Sequence, residues 1–238
     1  MIRQKRPWYQ SRVRPLVAGA SVGHLRITAG TIGALAIDRR SGRTVILSNN
    51  HVLANENDAE AGDAILQPGA YDGGHRPGDV VAKLTRFVKL KPRTANVMDA
   101  AVAEVRRAIA VDPLDYHDLG RLAGPRVAPL LPGVEVAKLG RTTGTTRGRV
   151  TAIELDNVVV DYDAGALSFD DQIEIESTGR GPFSAGGDSG SLILDRDGRG
   201  CALLFAGSDT GGTNGRGLTY ANPIGPVLRK LAIELASP

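Results

Sequence analysis

The residues best suited to covalent chemistry form one short glycine-rich stretch, Gly186-Gly187-Asp188-Ser189-Gly190-Ser191. A serine held between glycines on a tight turn is exposed, and its hydroxyl can approach the carbonyl carbon of a substrate. The glycines also let the backbone turn its N–H groups toward the carbonyl oxygen. Serine alone is a weak nucleophile, so it needs a base and a group that orients the base. The alternative is a glycine-rich turn before the apolar run Leu192-Ile193-Leu194.

Four histidines are candidates for the base: His24, His51, His75 and His117. His75 and His117 lie in loops rich in Gly, Pro or Asp, which is typical of exposed histidines without a role, and His24 ends a weak strand. His51 differs because it follows an apolar strand at a predicted strand-to-helix turn. A histidine in that position is held by the core and faces a cleft, so His51 is the predicted base.

One acid, Asp99, lies inside an apolar run, Val97-Met98-Asp99-Ala100-Ala101-Val102. A lone buried carboxylate costs several kcal/mol, so a buried acid needs a donor, and an imidazole N–H is suitable. The alternative is an acid on the exposed face of the strand that caps a neighbouring backbone amide. Asp99 is therefore the predicted partner of the histidine.

The elements that would position these residues are short strands. Thirty glycines and thirteen prolines favour many turns and a β-rich chain. Two series of about six strands, joined by a proline-rich segment, predict an all-β fold of two six-stranded antiparallel β-barrels with a C-terminal α-helix. Residues 151–162 are predicted to form a hairpin around Asp156-Asn157. The predicted divisions are a basic arm (1–14), the first barrel (15–110), a linker (111–132), the second barrel (133–222) and the helix (223–238).

Charge and composition narrow the choice of partners. The net charge is +3, and acidic residues are interspersed among the arginines. The dense basic stretch Arg3-Gln4-Lys5-Arg6 favours a solvated arm, so nucleic acid is not expected as a partner. A nucleic-acid-binding domain that uses residues 3–14 stays as a minor alternative. The sequence does not specify an oligomeric state.

The lone cysteine and the short apolar runs bear on the compartment. Cys201 is the only cysteine, so no intramolecular disulfide can form. We expect it to be a buried strand residue in a reducing compartment. No stretch approaches the ~20 apolar residues that span a bilayer, and the run Leu16-Val17-Ala18-Gly19-Ala20 is too short for the core of a signal peptide. The expectation is a cytoplasmic protein without membrane attachment.

The order of His51, Asp99 and Ser189, with the first two in one half of the chain and the third in the other, resembles the chymotrypsin-like (trypsin-fold) serine proteases. Gly187-Asp188-Ser189-Gly190 is the strongest element of this resemblance. The stretch Lys138-Leu139-Gly140-Arg141-Thr142-Thr143-Gly144 is similar to a motif of a bacterial subgroup, and the region through Leu66-Gln67-Pro68-Gly69 resembles bacterial and plant trypsin-like proteins of the narrow-leaf type.

The resemblance implies a site and an activity. It implies a serine endopeptidase that cleaves polypeptides with a His51, Asp99 and Ser189 triad, with no metal and no cofactor. The backbone N–H groups of Gly187 and Ser189 would bind the oxyanion. The pocket for the residue before the cut would have three walls. The first segment contributes Phe183, Ser184 and Ala185, the second contributes Phe205, Ala206 and Gly207, and the third runs from about Leu218 to Ala221.

The pocket segments contain no acidic residue, so the resemblance implies cleavage after small or medium apolar residues, with Asp209 as the nearest candidate for an acidic partner. The chain departs from the family in having no disulfides and no clear activation sequence. Asp188 then needs another partner, or none. The rival function is a protease-fold binding or scaffold module with little turnover.

Overall fold

The computed structural model describes residues 6–27 and 29–238. Sixteen strands and two short α-helices occur in these residues. The strands are β1 Ser21–His24, β2 Gly30–Thr31, β3 Ala34–Asp38, β4 Thr44–Ser48, β5 Ala64–Leu66, β6 Val80–Phe87, β7 Ala101–Val105, β8 Glu135–Gly140, β9 Gly144–Leu155, β10 Val158–Tyr162, β11 Gly165–Phe169, β12 Gln172–Ser177, β13 Leu192–Asp195, β14 Gly200–Gly207, β15 Leu218–Pro223 and β16 Ile233–Leu235. The helices are α1 Asn50–Leu53 and α2 Ile224–Leu231.

The second half of the chain forms a closed six-stranded antiparallel barrel in the order β12-β15-β14-β13-β8-β9. Pairing of β9 with β12 closes it, so every strand of the barrel has two neighbours and no edge is left open. The strands carry the apolar side chains that the barrel interior needs, among them Val150, Ile175 and Leu204. This barrel is the second of the two that the sequence predicted.

The first half forms a curled sheet whose strand order is β16-β3-β4-β7-β6-β5-β1-β2. The predicted all-β class is confirmed, but this half is an open sheet of eight strands instead of a closed six-stranded barrel. Its outer strand β16 comes from the C-terminus and pairs with β3. The additional strand covers an edge that β3 would otherwise expose.

The C-terminal segment is helical over only part of its predicted range. The helix α2 ends at Leu231 because Ala232 adopts a left-handed conformation with φ of 48°, which turns the chain away from the helix axis. The next residues then form β16. Val227 and Leu231 therefore lie in α2 and Leu235 lies in β16. All three side chains pack in the same core cluster.

The two halves are joined by a shared apolar core. This cluster takes Leu47 and Val102 from the first half, Leu192 and Leu203 from the second, and the buried face of α2. Burial of apolar surface between the sheets stabilises one relative placement of the halves. Groups at the ends of β4, β7 and β13 are thereby held at the same junction.

The segments outside the sheets are also held in place. The sequence predicted a solvated arm over 1–14; residues 1–5 lie outside the described residues, and the remainder packs against the protein. Trp8 stacks on His117 with ring centroids 4.1 Å apart, and Gln10 Nε2 donates to Arg141 O at 3.1 Å. The predicted linker, 111–132, is irregular and carries isolated bridges. Within the described residues, no helix is long and apolar enough to cross a membrane.

Candidate active site

His51 lies in α1, which begins two residues after the end of β4. The helix has no side-chain cap of its own. Asp99 supplies one, because its Oδ1 accepts hydrogen bonds from the backbone N–H groups of Asn50 at 2.6 Å and His51 at 3.3 Å. A carboxylate at the start of a helix satisfies otherwise unpaired amides. The same residue that binds the imidazole therefore also fixes the backbone that carries it.

Asp99 lies just before β7 and has no exposed surface. Its Oδ2 accepts from His51 Nδ1 at 2.5 Å and from the hydroxyl of Tyr162 at 2.7 Å. With Oδ1 bound to the two amides, the carboxylate has four donors and no Lys or Arg among them. The sequence-based alternative of an exposed, amide-capping acid is half right: Asp99 caps amides, but it is buried.

The hydrogen bond to Asp99 determines the state of His51. Since Nδ1 donates to the carboxylate, the neutral ring has its lone pair on Nε2, the atom on the far side of the ring. Burial lowers the pKa of His51, but the charge of Asp99 and the hydrogen bond to it outweigh that effect, and Glu56 adds to them; the pKa stays above its ordinary value. His51 is thus a base of increased strength.

Tyr162 is a residue of the candidate site that the sequence did not indicate. It ends β10, which pairs with β11 and not with β9, so the predicted hairpin over 151–162 is not formed. The β10–β11 hairpin instead reaches the first half, where Asp163 N donates to Glu56 Oε2 at 2.9 Å. Burial raises the pKa of Tyr162, as does the charge of Asp99, so its hydroxyl keeps its proton and acts as a donor.

The turn that carries Ser189 is docked on the first half. Thr31 N, in the first half, donates to Ser189 O at 2.8 Å, while Gly190 N donates to Leu204 O of its own barrel at 2.9 Å. Gly190 has φ of +91°, and a Cβ there would collide with Ser48 Oγ. Ser48 ends β4, two residues before α1, so only glycine lets the turn approach the strand that leads to His51.

Ser189 and His51 therefore belong to the same junction, since a Cβ on Gly30 would meet both Ser189 O and the side chain of Val52, the neighbour of His51. Among the described residues, no hydrogen bond joins Ser189 Oγ to the His51 ring. Such bonds are often long before substrate binds and shorten in the complex. The structure brings Asp99 and His51 into direct contact and places the Ser189 turn beside them.

The backbone around Ser189 presents unpaired donors. The carbonyls of residues 186–189 all accept hydrogen bonds: from Thr142 Oγ1 (2.7 Å), Thr31 Oγ1 (3.0 Å), Ser191 Oγ (2.6 Å) and Thr31 N (2.8 Å), in that order. In the described part of the chain the N–H groups of Gly187 and Ser189 donate to no acceptor. These are the two donors that the sequence suggested for an oxyanion.

Asp188, whose partner the sequence left open, is bound by Lys138. Both side chains are fully buried, with Nζ 2.9 Å from Oδ2. Thr143 Oγ1 and the amides of Thr142, Thr143 and Ala185 also donate to the carboxylate. Burial lowers the pKa of Lys138, and the charge of Asp188 partly offsets this. A lysine in the otherwise apolar strand Val136-Ala137-Lys138-Leu139 was the available signal.

The predicted pocket residues divide into two groups. Phe183 is buried in the core of the closed barrel, and Phe205 packs on Phe169 with ring centroids 4.7 Å apart, so neither ring is free to line a pocket as predicted. Phe205 belongs to a separate apolar cluster that includes Val158 and Leu167, and both rings are buried because apolar clusters take aromatic side chains. Ser184 Oγ, by contrast, lies 2.6 Å from Thr219 Oγ1, which belongs to the predicted third wall.

The remaining predicted pocket residues are Ala185, whose backbone N–H donates to Asp188, and Ala206 and Gly207, which lie on β14. Gly207 lies beside Ser184 and is exposed, and Ala206 is half-buried. Asp209 is exposed. The buried carboxylate of Glu176 is bound by Thr213 Oγ1 and by Asn214 N, and the hydrogen bonds from Thr213 lead the effects that lower its pKa.

The other histidines lie elsewhere. His24 is buried and its Nε2 is 3.1 Å from Asp63, a partner that the sequence did not indicate. His75 is exposed beside Asp79, and His117 stacks on Trp8. Within residues 6–27 and 29–238, no group of three or more His, Cys, Asp or Glu side chains could hold a metal ion.

No protein-family model matches the chain, and no curated protein matches it in sequence. Solved structures match its fold. Protease A of Thermobifida fusca superposes with a TM-score of 0.63 at 17% identity, over 93% of this chain and 98% of the other. A protease from Nocardiopsis gives 0.63 at 18% identity, over 93% and 98%.

A third structure has the description of a glutamic-acid-specific serine protease that uses a histidine triad in substrate binding. It superposes with a TM-score of 0.64 at 18% identity, over 93% of this chain and 100% of that one. Near-complete coverage in both directions means that the likeness includes both halves and the junction between them. The chain has the fold of the bacterial chymotrypsin-like serine proteases.

Proposed function

We propose that this protein is a serine endopeptidase. The observation that carries the proposal is the pairing of His51 Nδ1 with the buried Asp99 carboxylate, at a junction on which the Ser189 turn is docked. The fold likeness supports it, because the matched structures are described as proteases. The reaction needs no metal and no cofactor.

Each group of the site has a separate role in peptide hydrolysis. Ser189 Oγ attacks the scissile carbonyl carbon while its proton passes to His51 Nε2. The C–O⁻ that forms accepts hydrogen bonds from the free N–H groups of Gly187 and Ser189. His51 then gives the proton to the amide nitrogen, and the C–N bond breaks. Water repeats the sequence on the acyl-enzyme, and Asp99 stabilises the imidazolium each time.

The Lys138–Asp188 pair supports competence without processing of the chain. The buried carboxylate of Asp188, beside the nucleophile, is paired with a cation that a strand residue of the same barrel provides. The turn geometry then does not depend on a newly formed N-terminus. For the compartment we propose the cytoplasm, because Cys201 is the only cysteine and the fold does not require disulfides.

For specificity we propose cleavage after small or medium apolar residues. A substrate Arg or Lys would lose hydration without gaining a carboxylate, since Asp209 is exposed and Glu176 is occupied by its own donors. All four histidines precede residue 118, so the segments around Ser184 and Thr219 contain none that could serve as in the glutamic-acid-specific protease.

A substrate panel that varies only the residue before the cut tests this specificity. We expect kcat/KM to be largest for Ala, Val or Leu. A preference of more than about tenfold for Arg, Lys or Glu would overturn it.

The activity itself is tested with a fluorophosphonate probe and a peptide-library digest. Wild-type protein should label and cleave, while Ser189→Ala, which removes only the hydroxyl, should do neither and should unfold at the same temperature. Labelling of both proteins, or of neither, would contradict the endopeptidase and favour a binding or scaffold module.

A further inference from the structure

A continuous set of hydrogen bonds leads from a buried ion pair to the peptide before Gly187. Arg141 donates from Nε to Asp72 Oδ2 at 2.7 Å and from Nη2 to Oδ1 at 2.6 Å. Its third nitrogen, Nη1, donates to Thr142 Oγ1 at 3.0 Å. Thr142 Oγ1 in turn donates to Gly186 O at 2.7 Å. Two side chains, Arg141 and Thr142, thus connect the Asp72 carboxylate to one backbone carbonyl.

That carbonyl determines where the Gly187 N–H points. In a trans peptide the C=O and the following N–H point in opposite directions. Holding Gly186 O against Thr142 therefore turns the Gly187 N–H away from Thr142. Gly186 is exposed, so this peptide is not fixed by burial. Rotation by half a turn would remove a donor from the oxyanion site and put an acceptor in its place.

The arginine in this set is firmly placed. Its side chain is 9% exposed and that of Asp72 is 3% exposed, so the bidentate pair is shielded from solvent. The Tyr71 ring lies against the guanidinium, with Cζ 4.9 Å from the ring centroid. The hydrogen bond with Asp72 raises the pKa of Arg141. A fixed cation that donates to a hydroxyl polarises it and strengthens the bond that the hydroxyl donates.

Glycine at position 187 is required by this arrangement. Its φ is +95°, and a Cβ there would lie 2.6 Å from Thr142 Oγ1 and 2.9 Å from Arg141 Nη1. The backbone thus lies directly against the two donors. Arg141 and Thr142 belong to a motif noted in the sequence, whose lysine binds Asp188 instead.

We infer that Asp72, Arg141 and Thr142 form a positioning relay that keeps the Gly187 N–H directed into the oxyanion site. The inference rests on the proposed endopeptidase activity and adds residues that act through the backbone without touching substrate. Thr142 is the last member of the relay, and its hydroxyl donates to Gly186 O. Removing that hydroxyl therefore tests the relay most directly.

The test compares Thr142→Val, which removes the hydroxyl at nearly constant shape, with Thr142→Ser, which retains it. We expect Thr142→Val to lower kcat by about tenfold or more with little change in KM, because an oxyanion donor acts mainly on the transition state. Thr142→Ser should stay within about threefold of wild type. Asp72→Asn should lower kcat less than Thr142→Val, since it weakens the relay at its far end.

A spectroscopic measurement separates positioning from general damage. In the adduct of Ser189 with a ¹³C-labelled peptidyl trifluoromethyl ketone, the pKa of the hemiketal hydroxyl reports how well the site stabilises an oxyanion. Thr142→Val should raise that pKa and Thr142→Ser should not. The matched control is Thr151→Val on β9, which removes a hydroxyl bond to Glu174 on β12 and should leave both kcat and the hemiketal pKa unchanged.

The outcomes separate the two proposals. If wild type is not labelled by the fluorophosphonate, the endopeptidase itself is wrong. If wild type labels and turns over, but Thr142→Val keeps its kcat and its hemiketal pKa, the relay is wrong and the activity stands. A Thr142→Ser variant as impaired as Thr142→Val would also refute the relay, because the hydroxyl would then not be the group that matters.

Discussion

Two buried aspartates show how differently the two halves of the molecule use a carboxylate. Asp99 in the first half and Asp188 in the second are both fully buried, and each accepts at least four hydrogen bonds. Their partners differ in kind. Asp99 is bound by an imidazole, a phenol and two amides, whereas Asp188 is bound by an ammonium group, a hydroxyl and amides.

The difference matches two tasks. A lysine next to Asp188 supplies a charge that does not change during turnover, so the pair holds one geometry. The histidine next to Asp99 reacts in its neutral form and becomes charged when it takes the Ser189 proton. The carboxylate beside it is then most useful in the transition state, where positive charge develops. The comparison separates a carboxylate that stabilises structure from one that stabilises a reaction.

The largest expected effect is on the reactive carboxylate. Asp99→Asn should lower kcat by about 10⁴-fold, because an amide cannot hold His51 in the tautomer that leaves Nε2 free. The protein should still fold, since the amide oxygen can cap α1. Steady-state kinetics with thermal unfolding of the same samples provide the measurement. A loss smaller than about tenfold would show that Asp99 is not the group that orients His51.

For Asp188, the carboxylate that stabilises structure, we expect the loss of its partner to change the stability of the fold. Lys138→Met leaves Asp188 buried without a cation and should reduce the free energy of unfolding by about 3–5 kcal/mol. Arg196→Met is the matched control, because it breaks an exposed pair with Glu135 and should cost less than about 1 kcal/mol. Denaturant unfolding compares them. Equal losses in the two variants would contradict the assignment of Lys138.

A smaller effect concerns the pH dependence of activity. A protonated His51 cannot accept the Ser189 proton, so kcat/KM falls as pH drops through the His51 pKa. That pKa is raised, with Asp99, Glu56 and the neutral Tyr162 as the groups that face the ring. The fall should therefore begin at higher pH than for an ordinary histidine, whose pKa is about 6.5. A midpoint below that value would contradict the structure.

Tyr162→Phe sharpens the same measurement. Without the hydroxyl, the Asp99 charge is less stabilised and attracts the imidazolium more strongly, so the midpoint should move up by a few tenths of a pH unit to about one unit. The kcat should fall by about three- to tenfold. Tyr116→Phe is the control, because it removes another tyrosine hydroxyl bond, to Gly33 O, which is more deeply buried, and it should leave the midpoint unchanged.

The sequence predicted the site best where local pattern and chemistry coincide. His51 follows an apolar strand, Asp99 is an acid in an apolar run, and Ser189 lies between glycines; each was identifiable within about ten residues of chain. The closed barrel was also predictable, since its strands alternate with clear turn residues. Both predictions depend on short-range regularities.

What the sequence missed depends on distant pairing. Tyr162 reaches Asp99 because β10 pairs with β11, whereas Asp156-Asn157 had suggested pairing with β9. The turn chemistry was correct and the partner strand was not. Lys138 and Asp188 meet across 50 positions of sequence, and the direction of the Phe183 ring depends on the barrel interior that it fills. None of these follows from a local pattern.

The smallest expected effect is at Cys201. It tests whether a third buried ionisable side chain contributes to structure or to the reaction as the two aspartates do. The side chain lies in the core of the closed barrel, and burial raises the pKa of its thiol to about 12. The thiolate is the reactive form, so at neutral pH the thiol should resist alkylation by iodoacetamide until the protein unfolds. Reducing agent should leave both the melting temperature and the activity unchanged, because no disulfide can form within the chain. Cys201→Ser should lower stability modestly, since it places a more polar hydroxyl among apolar side chains, and should leave kcat unchanged. Rapid alkylation of native protein with loss of activity would show that the thiol is exposed and belongs to the machinery around Ser189.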